Sequence, residues 1–435
     1  MNTLNRNQLN LILVLILSIT GLFSCTTETN WLKGNMHTHT FWSDGQDFPE
    51  NVARWYNENG YDFLVFTDHN ILHKTPEKSL RPAHVFTDGQ LWQRIQVDHP
   101  ALAKYDSLFG EDWVETRPDD EQGYLQVRLK TMDEYGSLFK DPGKFLILMG
   151  NEITNMYVHF LAIYQEKQIP ATKGTADDRV RMMKEVVEQF KAYREESGSN
   201  IYPVLAHPNH RWSITAEMIL DVPELRFFEV YNGIPGTSND GEGFRAGTAR
   251  MWDIVLANRL ARGEGELLYG LATDDAHYYY GQGSGPGRGW IMVNSDELTP
   301  GSILDALDKG DFYASTGVTL KKLKFNGKTL KVEIEPQEGI EYLTEFIGTF
   351  EGFDTTSVAT LDTSGVEISN TTRTYSEQIG KILYSSNDPE SSYTFTGKEL
   401  YVRVCITSTA DQYDPISGNI IGKQKAWIQP HVNTH

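Results

Sequence analysis

The sequence predicts an α/β fold built on a largely parallel sheet, followed by a smaller all-β unit. Three observations carry this expectation. Between residues 31 and 318, near-continuous apolar runs alternate with helical patterns, the arrangement of βαβ units in a sheet that is either open or closed into a barrel. Each apolar run ends in polar, ionisable residues, and in such folds the functional site lies beyond the carboxyl ends of the strands. After Gly317 the texture changes to alternating strand-like segments separated by Gly, Ser, Asn and Asp.

The chain opens on a targeting segment. Arg6 precedes the apolar run LNLILVLILSITGLF, residues 9–23, which is followed by polar TTETN. The run is shorter than a typical bilayer-spanning helix, so residues 1–24 read as a cleaved signal. The stretch LFSC resembles a bacterial lipoprotein box with Cys25 as the acylated residue; an ordinary secretory signal is the alternative. The resemblance implies an exported lipoprotein, on the outer membrane or periplasmic side, held to the membrane by its lipid through a tether over residues 25–33. With Cys25 acylated, Cys405 is the only remaining thiol and no intrachain disulfide forms.

The buried strands come next in order: YDFLVFTDHN (61–70), KFLILMGNEI (144–153), HFLAIY (159–164), IYPVLAHPNH (201–210), RFFEVYNG (226–233) and ELLYGLATDDAH (266–277). Runs of this length suit strands covered on both faces, as in a parallel sheet. Helical patterns lie between them. FPENVARWYNENG has Pro49 and Glu50 at its start and Gly60 at its stop. TADDRVRMMKEVVEQFKAYREESG pairs Thr175 with Asp178 as a capping box and stops at Gly198. SITAEMILDV, FRAGTARMWDIVLANRLARG and PGSILDALDKG are the others. Residues 71–143 interrupt the alternation and are too long for a bare loop; they read as a partly helical insertion covering the site as a lid. Residues 34–318 are thus one large α/β unit, and residues 319–435, with an Asn-Gly turn between alternating runs, read as a β-sandwich.

The 435 residues carry 39 basic and 59 acidic side chains, a formal charge of −20, with no run of five basic residues. That balance argues against nucleic acid as a partner and is compatible with gathering divalent cations.

In GNMHTHTFWSDG, residues 34–45, His37 and His39 are one residue apart, so on an extended segment both imidazoles face one spot. Asp275 and His277 repeat the spacing. With Asp44, His69, Glu152, His159 and His207 they make six histidines and three carboxylates arriving at one rim of the sheet. Each singly has an ordinary structural explanation. Together, buried acids need a compensating cation. The donors are imidazole and carboxylate without thiolate, which suits Zn, Mn or Fe. Nine donors exceed the needs of one ion, so a cluster of two or three divalent metals is expected, with Glu152 bridging.

HTHT...SDG, FTDHN, GNEIT...H, AHP and DDAH, in this order, resemble the PHP (polymerase and histidinol phosphatase) superfamily of metal-dependent phosphoesterases. GRGWIMV and GDFYASTGV further resemble its carbaryl-hydrolase-like, CehA/McbA-type metallohydrolase branch. The resemblance spans residues 34 to about 318 and implies a distorted (β/α)7 barrel with a trinuclear site. It implies His37, His39, Glu152 and Asp275 on a first metal, Glu152, His159 and His207 on a second, and Asp44, His69 and His277 on a third.

The implied reaction is hydrolysis of a phosphomonoester or phosphodiester by a metal-bridged hydroxide. His210 and Arg288 are the candidate catalytic residues, and Arg211, Asn232 and Asp274 the candidate substrate contacts. Two alternatives stay open: a carboxyl ester, amide or carbamate hydrolase using the same cluster, and a lipid-tethered glycan-binding protein using Trp42, Trp92 and Trp212 as stacking platforms. The substrate is a small phosphorylated or ester molecule in both enzymatic readings, and the sequence leaves the oligomeric state open.

Overall fold

The structure is a computed structural model of the chain, describing residues 30–74, 81–139, 143–281 and 283–433. The expected signal and Cys25 lie outside the described residues. Among the described residues no helix is long and apolar enough to cross a membrane.

The chain enters at β1 (Trp31–Asn35), crosses through α1 (Pro49–Glu58) and returns parallel to β1 as β2 (Phe63–Phe66). α1 has Pro49 in its first turn, where no intrahelical N–H is needed, and buries Val52, Ala53 and Tyr56. The segment that follows is partly helical, as expected, and adds a small sheet. It consists of β3 (His84–Thr87), β4 (Gln90–Gln96), α2 (Pro100–Phe109), β5 (Thr116–Pro118), β6 (Tyr124–Leu129) and the short α3 (Met132–Tyr135). Its four strands form a separate antiparallel sheet in the order β3-β4-β6-β5. With α2 this sheet closes a core around Trp42, Phe48, Leu91 and Tyr105. Trp42 is wholly enclosed there and Trp92 is also buried, so neither serves as a stacking platform for a ligand. Trp212 is half-buried with the Arg245 guanidinium over its ring at 4.9 Å.

The main body resumes with β7 (Leu146–Met149), parallel to β2, and continues past Gly150 into β8 (Asn151–Thr154). β9 (His159–Ala162) then runs antiparallel to β8. This departs from the parallel pairing expected of these strands, and the reason is local. Only residues 155–158 separate the strands, and the Asn155 carboxamide oxygen accepts hydrogen bonds from the Tyr157 and Val158 amides at 2.8 and 2.9 Å. A connection this short makes a hairpin, whereas a parallel return needs a dozen or more residues.

Next come α4 (Arg179–Ser197), ended by Gly198 at φ 70°, then β10 (Pro203–Leu205), α5 (Ala216–Leu220), β11 (Phe227–Asn232), α6 (Thr248–Arg262) and β12 (Tyr269–Thr273). β8 to β12 form one five-stranded sheet in sequence order. Its core packs Phe160, Phe190, Phe228 and Trp252, each essentially without solvent contact. No closed hydrogen-bonded barrel forms among the described strands. Instead, two isolated parallel bridges join the sheets, Thr38 with Ala276 and His69 with Glu152, and both fall among the residues of interest.

β13 (Trp290–Asn294), α7 (Pro300–Lys309) and β14 (Phe312–Ser315) lead out of this body. The remaining strands are β15 (Leu320–Phe325), β16 (Thr329–Ile334), β17 (Tyr342–Phe350), β18 (Ser357–Val358), β19 (Thr374–Tyr375), β20 (Lys381–Ser386), β21 (Glu390–Thr394), β22 (Glu399–Tyr413) and β23 (Ile420–His431). β15 and β16 are the hairpin around Asn326-Gly327. They join β21 in a three-stranded sheet whose inner face packs with β17, β22 and β23 around Leu320, Val332, Phe346 and Val404. β23 pairs with β14, so a single nine-stranded sheet runs from β7 through β1 to β20. Cys405 lies on β22 as a free, partly buried thiol.

Candidate metal centre

Asn35 ends β1 and holds the turn that follows: its side-chain amide donates to the His37 carbonyl, and its oxygen accepts from the Asp274 amide. The chain stays extended, and the His39 amide donates to the Ala276 carbonyl at 2.9 Å. His37 and His39 therefore flank the Thr38–Ala276 bridge on one side while Asp275 and His277 flank it on the other. Asp275 sits at φ 50° and His207 at φ 27°, conformations that cost a non-glycine residue energy and cluster at functional sites.

All nine sequence-singled residues meet. Their ligand atoms fall into four overlapping groups, each within 4.8 Å: His39, Asp44, His69 and His277; His37, His207 and Asp275; His37, His39 and Glu152; and Glu152, His159 and His207. The innermost set is the most deeply buried. Asp275 Oδ1 lies 3.2 Å from both His37 Nε2 and His39 Nε2, and Glu152 Oε2 lies 3.6 and 3.5 Å from the same two nitrogens. None of these four buried atoms makes a hydrogen bond of good geometry, although His69 Nδ1 also stands 2.6 Å from Glu152 Oε2. Buried polar atoms are rarely left so, and donors about 2.0–2.1 Å from a tetrahedral ion stand roughly 3.3 Å from one another. The residues therefore fit a divalent ion. Glu152 Oε1 faces the other way, 2.8 Å from His159 Nδ1 and 3.2 Å from His207 Nε2, which suits a carboxylate shared between ions. His277 Nε2 and His69 Nε2 each stand 3.5 Å from an Asp44 oxygen.

The acids and imidazoles of the cluster shift one another's ionisation. Burial alone raises the pKa of Glu152, but His69, His159 and His37 hold it well below the usual carboxylate range. Burial likewise opposes ionisation of Asp275, and His37, His39, His277 and His207 outweigh it. Burial disfavours charge on His37, yet Asp275, Glu229 and Glu152 raise its pKa. His39 goes the other way, to about 4, through burial and the charges of His277 and His69.

Glu229 is the residue the sequence reading missed. It is fully buried on β11, where its Oε1 receives His37 Nδ1 at 2.8 Å and the Thr273 hydroxyl at 2.6 Å. Its Oε2 receives the His207 amide at 2.6 Å and the Asn232 side-chain amide at 2.7 Å. With Nδ1 of His37 bonded to Glu229, Nε2 is free to face Asp275 and Glu152. The available signal was an acid inside the apolar run RFFEVYNG. Asp68 does similar work for the 40s loop, accepting from the Thr40 amide and hydroxyl and from Ser43, while His73 Nε2 lies 2.6 Å away. Gly45 is obligatory there, since a Cβ would stand 2.4 Å from the His39 backbone.

The remaining candidates separate. A cavity of about 270 Å³ opens over the cluster, lined by Asp44, His69, Glu152, His159, His207, Asp275 and His277 together with His210, Arg211, Met156, Tyr157, Ile214 and Ile234. His210 and Arg211 thus reach the cavity. Burial, with the charges of His207 and Arg211, lowers His210 to about 4, so at neutral pH its imidazole is uncharged. Arg288 does not reach the cavity, because its guanidinium is spent on Asp414, Gly233 O and Gly283 O. Asp274 is also withdrawn, its carboxylate accepting from the Gly287, Arg288 and Gly289 amides and from Tyr56. Asn232 is buried against Glu229 and Asp275 and orients acids rather than substrate. No described residue of 81–139 lines the cavity, although Arg81 reaches Asp44 at 3.3 Å.

Fold and site define a mixed α/β protein with clustered His, Asp and Glu able to bind metal. No family model and no curated protein matches the chain. Among solved structures it is similar to a two-domain protein containing a predicted PHP-like metal-dependent phosphoesterase from Bacteroides vulgatus ATCC 8482, at 14% identity and TM-score 0.38 over 91% of this chain and 94% of that one. It is also similar to a putative metal-dependent phosphoesterase from Bifidobacterium adolescentis ATCC 15703, at 13% identity and TM-score 0.26 over 57% of this chain and 89% of that one. Neither likeness bears on the chemistry, which rests on the side chains described above.

Proposed function

We propose that the protein is a metal-dependent phosphoesterase, built as a distorted (β/α)7 barrel of PHP type and exported as a lipoprotein acylated at Cys25. The observation that carries the hydrolase reading is the set of four buried ligand atoms of His37, His39, Glu152 and Asp275 converging at mutual imidazole–carboxylate distances of 3.2–3.6 Å. The two isolated bridges at the rim support the barrel. The phosphoester preference comes from the order of the five sequence motifs.

His37, His39, Glu152 and Asp275 would hold one ion, Glu152, His159 and His207 a second, and Asp44, His69 and His277 a third. Bound divalent ions lower the pKa of water and neutralise charge on a phosphoryl group. The chain's own contribution is placement. Glu229 orients His37 and the His207 backbone, and Asn232 holds Asp275 Oδ2. Arg211, on the cavity wall, supplies a fixed positive charge to a phosphoryl oxygen. Met156, Tyr157, Ile214 and Ile234 give the leaving group an apolar wall.

The test is an assay of aryl phosphates beside aryl carboxyl esters with added Mn or Zn, on wild type and on the double variant His37→Ala, Asp275→Ala. Metal-dependent phosphate release that the double variant abolishes is expected. Phosphatase activity retained in the double variant would refute the site, and turnover of esters alone would move the chemistry to carbonyl carbon.

A further inference from the structure

The glycine-rich loop GSGPGRG, residues 283–289, is clamped from outside the α/β body. The turn joining β22 to β23 presses on it. Asp414 Oδ2 takes Arg288 Nε at 2.7 Å and also bonds the terminal guanidinium nitrogen. Gln412 donates to the Arg288 carbonyl at 2.6 Å. Contact is so close that a Cβ at Gly287 would stand 2.7 Å from Pro415 and one at Gly285 2.9 Å from Ile416.

From this loop, hydrogen bonds run to both sides of Asp275. The Gly287, Arg288 and Gly289 amides bind the Asp274 carboxylate at 2.9, 2.6 and 2.7 Å. The Ser284 carbonyl accepts from the His277 and Tyr278 amides at 2.9 and 3.0 Å. The His277 carbonyl in turn receives the Gln46 amide at 2.8 Å, two residues from Asp44. Arg288 and Asp414 are nearly or wholly buried, so the clamp is shielded from water.

We propose that the C-terminal hairpin is a positioning element of the metal cluster, acting through Asp414, Arg288 and the 283–289 loop on Asp275 and His277. This rests on the reading that the cluster holds divalent ions. Outer partners that orient ligands characteristically tune metal affinity, and here those partners come from a strand pair remote in sequence. A second buried ion pair supplies the control. Arg403 of β22 bonds Asp253 of α6 at 2.7 and 2.6 Å, joining the same two parts of the molecule without touching the loop.

The experiment titrates Co(II) into the full chain and reads the visible ligand-field spectrum and affinity, with the thermal midpoint recorded alongside. Asp414→Ala is expected to weaken cobalt binding about 10–100-fold and to alter the spectrum. Asp414→Glu, which keeps a carboxylate for Arg288, is expected to restore most of the loss. Gln412→Leu gives a second route to the same effect should Asp414→Ala fail to fold. Asp253→Asn is expected to lower the midpoint and leave cobalt binding unchanged. Wild-type cobalt binding in a folded Asp414→Ala or Gln412→Leu would overturn the positioning role while leaving the metal site standing, as would an equal loss in Asp253→Asn. A wild type that takes up no cobalt would overturn the metal reading itself.

Discussion

Glu229→Gln separates ligand orientation from fold stability. The glutamate accepts two hydrogen bonds at each oxygen, from His37 and Thr273 on one side and from the His207 amide and Asn232 on the other. The His207 amide and the Asn232 amide group can only donate. The glutamine oxygen must therefore take that side, and its NH2 turns toward His37 and Thr273. The threonine hydroxyl rotates to accept. His37 accepts at Nδ1 only by carrying its proton on Nε2, the atom that faces Asp275 and Glu152. All four contacts survive, so loss of stability stays within about 1–2 kcal/mol, the scale of one weakened charged hydrogen bond. Metal affinity bears the change: a ligating imidazole in the wrong tautomer costs about 10–100-fold, or about 1.4–2.8 kcal/mol. The assay is competition for Zn or Mn against a chromophoric chelator, beside thermal unfolding in chelator. Affinity within about twofold of wild type would refute the reasoning, as would a large fall in stability with unchanged affinity.

Three further outcomes follow from particular contacts. Glu50 is enclosed with Tyr105 and Trp113 bonded to one oxygen, and burial raises its pKa from 4.5 to about 7. The folded state then holds a proton that the unfolded chain has lost, so this contribution is present below about pH 4.5 and disappears as pH rises through about 7. Glu50→Gln should gain on wild type by about 3 kcal/mol across that window in chemical denaturation; parallel pH profiles would contradict this. Gly45→Ala pushes a methyl onto the His39 and Thr40 backbone, and a displacement of about 1 Å there should lower turnover about a hundredfold; an unchanged kcat would show that the loop yields freely. Asn155→Ala removes the acceptor for two hairpin amides and should cost about 1–3 kcal/mol by thermal unfolding, with no cost if water replaces the side chain.

What the sequence disclosed was local. The i, i+2 pairs His37/His39 and Asp275/His277 do face one spot, because an extended backbone repeats direction every two residues, and the bridge between Thr38 and Ala276 brings the two pairs together. Long-range partners were not legible. Arg288 and Asp274 looked like site residues since they adjoin the motifs, but their charges are spent on Asp414 and on backbone amides, a pairing between positions 126 residues apart. The antiparallel β9 was hidden by its apolar run, which reads the same in either direction; only the Asn155 turn distinguishes it. Residues 71–143 showed scattered polar and aromatic residues, and the four strands described among them are too short for alternation to register.

Side chains spread from His37 to His277 are proposed to hold several cations at once. Elemental analysis of the purified full chain after exhaustive dialysis measures this directly. Two or three equivalents of a divalent transition metal per chain are expected, falling by at least one in the His37→Ala, Asp275→Ala variant. A wild-type chain with no bound metal that also fails to take up Zn, Mn or Fe on titration would contradict it.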